Sequence, residues 1–299
     1  MYERFYGLRE RPFDLTSNPR YLFLSTKHRE GLSHLQYGIS GRKGITVLIG
    51  EAGTGKTTLV HAALEQQRAE NANSVYLSNP LLSRNEFFEF LAWGFGLDKA
   101  AETSKTRFVL ELSRTLVERQ EAGGTSALII DEAQCLSYEL MEEIRLLANI
   151  ETPVDKLLPV VMVGQPELGD RLNEPSLRQL KQRVALRCVL PPLDAAETAA
   201  YIANRVRVAG GSSQQLFTPR AIETIYERSR GIPRIISVIC DNALVSGFAA
   251  DERPVGRETI VEVCRDFDLC PAGPPAAPDA SALPASVAAA PVVRESSFF

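Results

Sequence analysis

Eight consecutive residues, Gly50-Glu51-Ala52-Gly53-Thr54-Gly55-Lys56-Thr57, carry the spacing G-x-x-x-x-G-K-[ST]. Glycines at these positions let backbone N–H groups curl around phosphate oxygens. A helix that opens at the lysine adds the partial positive charge of its N-terminus. Lys56 is placed to neutralise β- and γ-phosphates and Thr57 to offer a hydroxyl to magnesium, with Thr58 completing the expected nucleotide contacts. The chemistry implied is binding of a nucleoside triphosphate with Mg2+.

A second group of residues fits the same chemistry. The run Leu128-Ile129-Ile130 ends in Asp131-Glu132, delivering two carboxylates at the end of an apolar strand. Charges are costly there unless a ligand needs them. Asp131 is the candidate to hold magnesium and Glu132 the candidate general base for an attacking water. Val160-Val161-Met162-Val163-Gly164 leads to Gln165, whose amide can orient that water or sense a phosphate, or simply make a turn. Gly231-Ile232-Pro233-Arg234 opens a later helix, from which Arg234 can reach back towards the nucleotide. Between these lie Arg178, Lys181, Arg183 and Arg187. One of them, Arg183 first and Arg178 or Arg187 next, is a candidate arginine finger on a neighbouring subunit's ATP; a DNA-facing patch and a solvated helix face are the alternatives.

The elements that must hold these residues alternate. Strands are expected at 44–50, 74–78, 126–131, 158–164 and 185–190, each short, apolar and separated by helical stretches at 56–70, 83–96, 104–122 and around 140–148. Strand, helix and strand in succession predict a parallel α/β sheet flanked by helices. After Pro191-Pro192 only helical patterns remain, at 194–209, 218–231, 233–249 and 258–268, with Asp194 and Thr218 as N-caps and Pro219 at a first helical position. The expected division is residues 1–191 as the nucleotide-binding α/β domain, of which 1–43 form a distinct N-terminal segment, 192–269 as a small all-α lid, and 270–299 as a disordered tail. Residues 271–299 hold nine alanines, six prolines and three charged residues, which favours neither helix nor sheet.

Composition narrows the class. The chain has 299 residues, 44% hydrophobic and 23% charged, with a formal net charge of -4, which excludes a collagenous or wholly disordered chain and does not suggest a nucleic-acid coat protein. Five cysteines without a C-x-x-C pair argue against a zinc ribbon or a disulfide scaffold, and His28, His34 and His61 form no metal-ligand pattern. No apolar run approaches the ~18 residues of a membrane span. A cytoplasmic protein, peripheral to the inner membrane through partners, is expected.

Taken together, the P-loop, the Asp131-Glu132 strand end, Gln165, the basic run and Gly231-Ile232-Pro233-Arg234 resemble the AAA+ branch of P-loop ATPases. Phe5-Tyr6-Gly7-Leu8, Pro12-Phe13-Asp14-Leu15-Thr16, Tyr21-Leu22-Phe23-Leu24-Ser25, His28-Arg29-Glu30 and Gly164-Gln165-Pro166-Glu167-Leu168 are similar to the ExeA (general secretion pathway protein A) family, over about residues 1–268. The resemblance implies a parallel-sheet core with a helical lid, ATP and Mg2+ binding, ATP hydrolysis, and a homo-oligomeric ring or filament with shared sites. It also implies an adenine pocket near Pro12, Phe13 and His28, and protein partners in an envelope or secretion system. The expectation is of the ATPase module without that family's membrane and peptidoglycan-binding parts. A related module serves ATP-dependent DNA-binding transposition regulators of the TnsC and Mu B type, the alternative reading.

Overall fold

The computed structural model describes residues 1–16, 19–69, 72–98, 101 and 104–269. The disordered tail expected over 270–299 lies outside them. Five strands, β1 (Ile45–Gly50), β2 (Ala72–Leu77), β3 (Thr125–Ile130), β4 (Val160–Gly164) and β5 (Val184–Leu190), form one parallel sheet in the order β2-β3-β4-β1-β5. Each lies within two residues of its expected span. β1 is buried along its whole length, as a central parallel strand must be when helices cover both faces.

Side chains alternate across the strands and so supply two cores. Val47 and Ile49 of β1 join Leu128, Ile130, Val160 and Met162 beneath the helices α4 (Arg84–Phe95), α5 (Lys105–Glu121) and α6 (Tyr138–Leu147). Leu48, Ala127, Ile129, Val161 and Val163 face the other way, against α2 (Thr26–Ser40) and α3 (Lys56–Ala69). The helix ends follow local chemistry. Ser83 makes a capping box with Glu86, and Gly96 closes α4 in the left-handed region at φ 71°.

β5 is the exception to two-sided burial. Cys188 and Leu190 are buried while Ala185, Arg187 and Val189 are exposed, which marks a sheet edge. A charged residue on such an edge discourages pairing with another chain's strand.

Beyond the sheet the chain is helical: α7 (Pro166–Arg171) and α8 (Arg178–Lys181) precede β5, and α9 (Ala195–Val208), α10 (Ser213–Leu216), α11 (Pro219–Ser229), α12 (Pro233–Ala249) and α13 (Arg257–Asp266) follow it. Asp194 caps α9 through the Glu197 amide at 2.7 Å, and Thr218 caps α11 through the Ala221 amide at 3.2 Å. The core of these helices also contains the first residues of the protein. Tyr2 and Tyr6, on the short helix α1 (Tyr2–Tyr6), bury with Leu8 and Phe13 among Ile202, Val206, Phe217, Ile239 and Leu244. Phe13 meets Phe217 edge-on with ring centres 6.1 Å apart. Residues 2–13 of the N-terminal segment, expected to belong with the α/β part, therefore share the hydrophobic core of the helical part, because their aromatic side chains find apolar partners there, while Leu35 and Ile39 of the same segment pack on the sheet as expected.

Candidate nucleotide site

The strand order builds the site. The P-loop follows the last residue of β1, Asp131 follows β3, and Gln165 follows β4, which lies between them. All three emerge at the carboxyl ends of neighbouring parallel strands, the side on which open α/β sheets take their ligands. A cleft of about 400 Å³ opens there, lined by Gly53, Gly55, Lys56, Thr57, Thr58 and Glu132 on one wall and by Asp14–Thr16, Tyr201, Arg205 and Pro233–Arg234 on the other.

Within the loop, Lys56 is 5% exposed and donates to the carbonyls of Gly50 at 2.9 Å and Glu51 at 3.0 Å. Burial pulls its ammonium below the ordinary lysine pKa, and the charges of Glu132, Asp131, Glu51 and Glu167 act in the opposite sense. Thr54 turns its hydroxyl onto the Glu51 carbonyl at 2.9 Å, while Ala52 and Glu51 are exposed at the loop's tip. His28, buried on α2, supports the loop from behind, with Nε2 2.9 Å from the Thr54 carbonyl and Nδ1 2.9 Å from Ser25 Oγ.

Gly53 stands at φ 82° with its carbonyl accepting the Arg234 amide at 3.2 Å. A Cβ at Gly53 would sit 2.8 Å from Arg234 Cβ, so only glycine permits this approach between P-loop and lid helix.

Thr57 Oγ1 donates to Asp131 Oδ2 at 2.8 Å. Asp131 Oδ1 accepts the Glu132 amide at 2.9 Å. A hydroxyl and a carboxylate so placed form a set of hard oxygen donors, and the residues present fit a magnesium ion held with nucleotide. Glu132 adopts the left-handed region at φ 51°, which turns its side chain into the cleft. Its Oε2 accepts from Gln134 Nε2 at 2.5 Å and Gln165 Nε2 at 3.3 Å. Gln134 also accepts the Gln165 amide at 3.1 Å, an approach that requires glycine at position 164, where a Cβ would lie 2.8 Å from Gln134 Oε1. Arg171 locks the same loop by donating to the Gln134 and Leu136 carbonyls at 2.5 and 2.7 Å.

Gly50 to Thr58, Asp131, Glu132, Gln165 and Arg234 thus come together at one end of the sheet. The basic run does not join them. Arg178, Arg183 and Arg187 are exposed, and Arg183 lies at the start of β5, its carbonyl bonded to the Ile45 amide. That is the far end of β1, about 17 Å from the P-loop at ~3.3 Å per residue. Sequence reasoning missed Gln134, Arg171, Tyr76 and Arg205. Only Gln134 carried a visible hint, an amide two residues after the paired acids.

Residues 39–172 match the family model described as AAA domain. The chain carries an AAA domain. It is 42% identical over 252 residues to general secretion pathway protein A of Aeromonas hydrophila, an alignment that covers 83% of this chain and 45% of that protein, so the chain spans a little under half of its relative's length. Among solved structures it is similar to Cdc6p of Pyrobaculum aerophilum, with a TM-score of 0.64, 16% identity, and coverage of 85% of this chain and 70% of that one. The Aeropyrum pernix ORC2 protein in ADPNP–ADP complexes gives a TM-score of 0.62 at 14% identity, covering 86% and 71%. The RuvB branch-migration motor of Thermotoga maritima gives 0.51 at 19%, covering 82% and 70%. At these identities the structures share an AAA+ fold with this chain, and the AAA domain assigns it nucleotide binding. No helix among the described residues is long and apolar enough to cross a membrane.

Proposed function

We propose that this protein is an ATPase that binds and hydrolyses Mg-ATP as a homo-oligomer and uses the cycle to assemble or remodel components of a secretion or envelope export system. The observation that carries the ATPase reading is the convergence of Lys56, Thr57, Asp131 and Glu132 on one cleft at the carboxyl end of the sheet. The export reading is supported by the likeness to general secretion pathway protein A.

In this reading Lys56 leaves the Gly50 and Glu51 carbonyls for phosphate oxygens, a stronger charge-assisted partner. Thr57 and Asp131 hold the magnesium ion, which when bound neutralises charge on the phosphates. Glu132 accepts a proton from the attacking water, with Gln165 and Gln134 fixing its carboxylate. Arg234 brings the lid to the phosphates. Arg183 is too far from its own P-loop to serve it, so its part is on a neighbouring subunit's nucleotide.

The test is turnover against binding. Lys56→Ala abolishes nucleotide binding, whereas Glu132→Gln keeps ATP bound and stops hydrolysis. Normal hydrolysis by Glu132→Gln would remove the assigned base.

One observation favours a second reading, an ATP-dependent DNA-binding regulator of the TnsC and Mu B type: Arg178, Lys181, Arg183 and Arg187 are all exposed. Titrating a labelled duplex with the Glu132→Gln protein in Mg-ATP and in ADP, at two salt concentrations, decides it. Tight binding that needs ATP and weakens with salt supports the DNA reading. Its absence, with the oligomer confirmed by light scattering, leaves the export reading.

A further inference from the structure

Asp131 has a third partner that the nucleotide motifs do not include. Tyr76, next to last in β2, donates its hydroxyl to Asp131 Oδ2 at 2.7 Å. Register brings the two together. Tyr76 pairs with Ile129 in the parallel ladder, and the Asp131 amide continues that ladder by donating to the Leu77 carbonyl at 2.9 Å. Ile129 and Asp131 are two residues apart and point to the same face. Tyr76 packs against that face too, its ring 5.2 Å from His61. His61 lies four residues after Thr57 on α3, so both project from one side of the P-loop helix towards Tyr76 and Asp131.

The lone pairs can be counted. A carboxylate oxygen offers two in its plane. On Oδ2 one is taken by Tyr76 at 2.7 Å and the other by Thr57 at 2.8 Å. On Oδ1 one is taken by the Glu132 amide. With Tyr76 in place, the Thr57 proton has a single acceptor position on Oδ2, which turns the lone pairs of Thr57 Oγ1 away from Asp131. A phenol hydroxyl offers a proton as well as lone pairs, and facing a carboxylate oxygen it is the donor.

We propose that Tyr76 is a positioning residue for the divalent cation, its hydroxyl holding Asp131 so that Thr57 presents its oxygen to magnesium bound with nucleotide. This rests on the Mg-nucleotide reading above. Partners that orient metal ligands typically contribute 10–100-fold to metal affinity when removed.

The test is Tyr76→Phe in the full chain, with a fluorescent non-hydrolysable ATP analogue whose affinity is measured by anisotropy in EDTA and in excess Mg2+. The ratio of the two affinities reports the metal alone, without turnover. The expected result is an unchanged affinity in EDTA and a gain from Mg2+ about tenfold or more smaller than in the unaltered protein. His61→Ala, which removes the ring contact and keeps the hydroxyl bond, retains the full gain. An unaltered Mg2+ gain in Tyr76→Phe overturns the proposal. So does an equal loss of affinity in EDTA and in Mg2+, or a His61→Ala variant that loses as much as Tyr76→Phe, because each makes Tyr76 a packing residue. If the unaltered protein itself gains nothing from Mg2+, the Mg-nucleotide reading fails with it.

Discussion

Arg205 Nε donates to the carbonyl of Pro12 at 2.5 Å, across 193 positions of sequence. The same guanidinium, on a residue 9% exposed, donates to the Asp14 carbonyl at 2.9 Å and the Tyr201 hydroxyl at 2.7 Å, with its carbon 4.9 Å from the centre of the Tyr21 ring. A buried cation thus ties the N-terminal segment to the helical part through neutral oxygens and aromatic faces.

Arg205→Ala strands the Pro12 carbonyl and opens the wall of the cleft. Destabilisation of about 2–4 kcal/mol is expected, measured by urea unfolding, together with faster tryptic cleavage after Arg9 and Arg20. Unchanged cleavage would show that the segment is held by its aromatic side chains alone.

Gln165→Ala removes one of the two amides on the Glu132 carboxylate. Nucleotide affinity is expected to stay within about twofold while the hydrolysis rate falls at least about tenfold, read as phosphate release beside equilibrium binding. A parallel fall in both would assign Gln165 to binding.

Gly53→Ala forces a Cβ into a left-handed backbone position 2.8 Å from Arg234 Cβ. Strain of about 1–3 kcal/mol is expected, with nucleotide binding weakened more than the melting temperature suggests, because the loop and the lid helix separate. Calorimetry on nucleotide binding and on unfolding gives both numbers.

Arg183→Ala leaves nucleotide binding by an isolated subunit intact and lowers turnover of the assembly. Mixing it with Lys56→Ala restores part of the activity, since one subunit supplies the cleft and the other the arginine. No recovery at any mixing ratio would place the finger elsewhere.

Tyr6 donates to the Glu252 carbonyl at 3.1 Å, and burial first, then the Glu252 charge, pushes its phenol up to about 12 from 10.0. The folded state keeps the proton that the unfolded chain loses, so its contribution is complete below pH 10 and is lost as pH rises towards 12. Urea midpoints below pH 10 and between 10 and 12 are expected to fall less steeply in Tyr6→Phe than in the unaltered protein.

What could be read from the residues was whatever is written locally. Each strand is a short apolar run, so the five strands were legible, and parallel pairing followed from the helices between them. The P-loop, Asp131 and Glu132 were legible because their function demands fixed spacing. Helix α2 was not, since Gly31 and Gly38 depress its helical signal. Arg205 reads along the chain as one more solvated cation of an amphipathic helix, and its partners are carbonyls, which carry no residue signature. Tyr76 reads as an ordinary strand aromatic until register sets it beside Asp131.

The placement of Tyr2, Tyr6, Leu8 and Phe13 in a core otherwise built from residues 193–264 orders the events of synthesis. All five strands lie between residues 45 and 190, so the sheet can close while the aromatic side chains of the first segment still wait in water. Their burial requires a long loop to be drawn shut, a slow, non-local step. The wall of the cleft opposite the P-loop is made by residues 14–16 together with Tyr201, Arg205, Pro233 and Arg234, so it comes into being at that step. A nascent chain halted at residue 192 would carry every P-loop residue and both acids and still have only one wall of a nucleotide site, which makes ATP capture a signal that the fold has been finished.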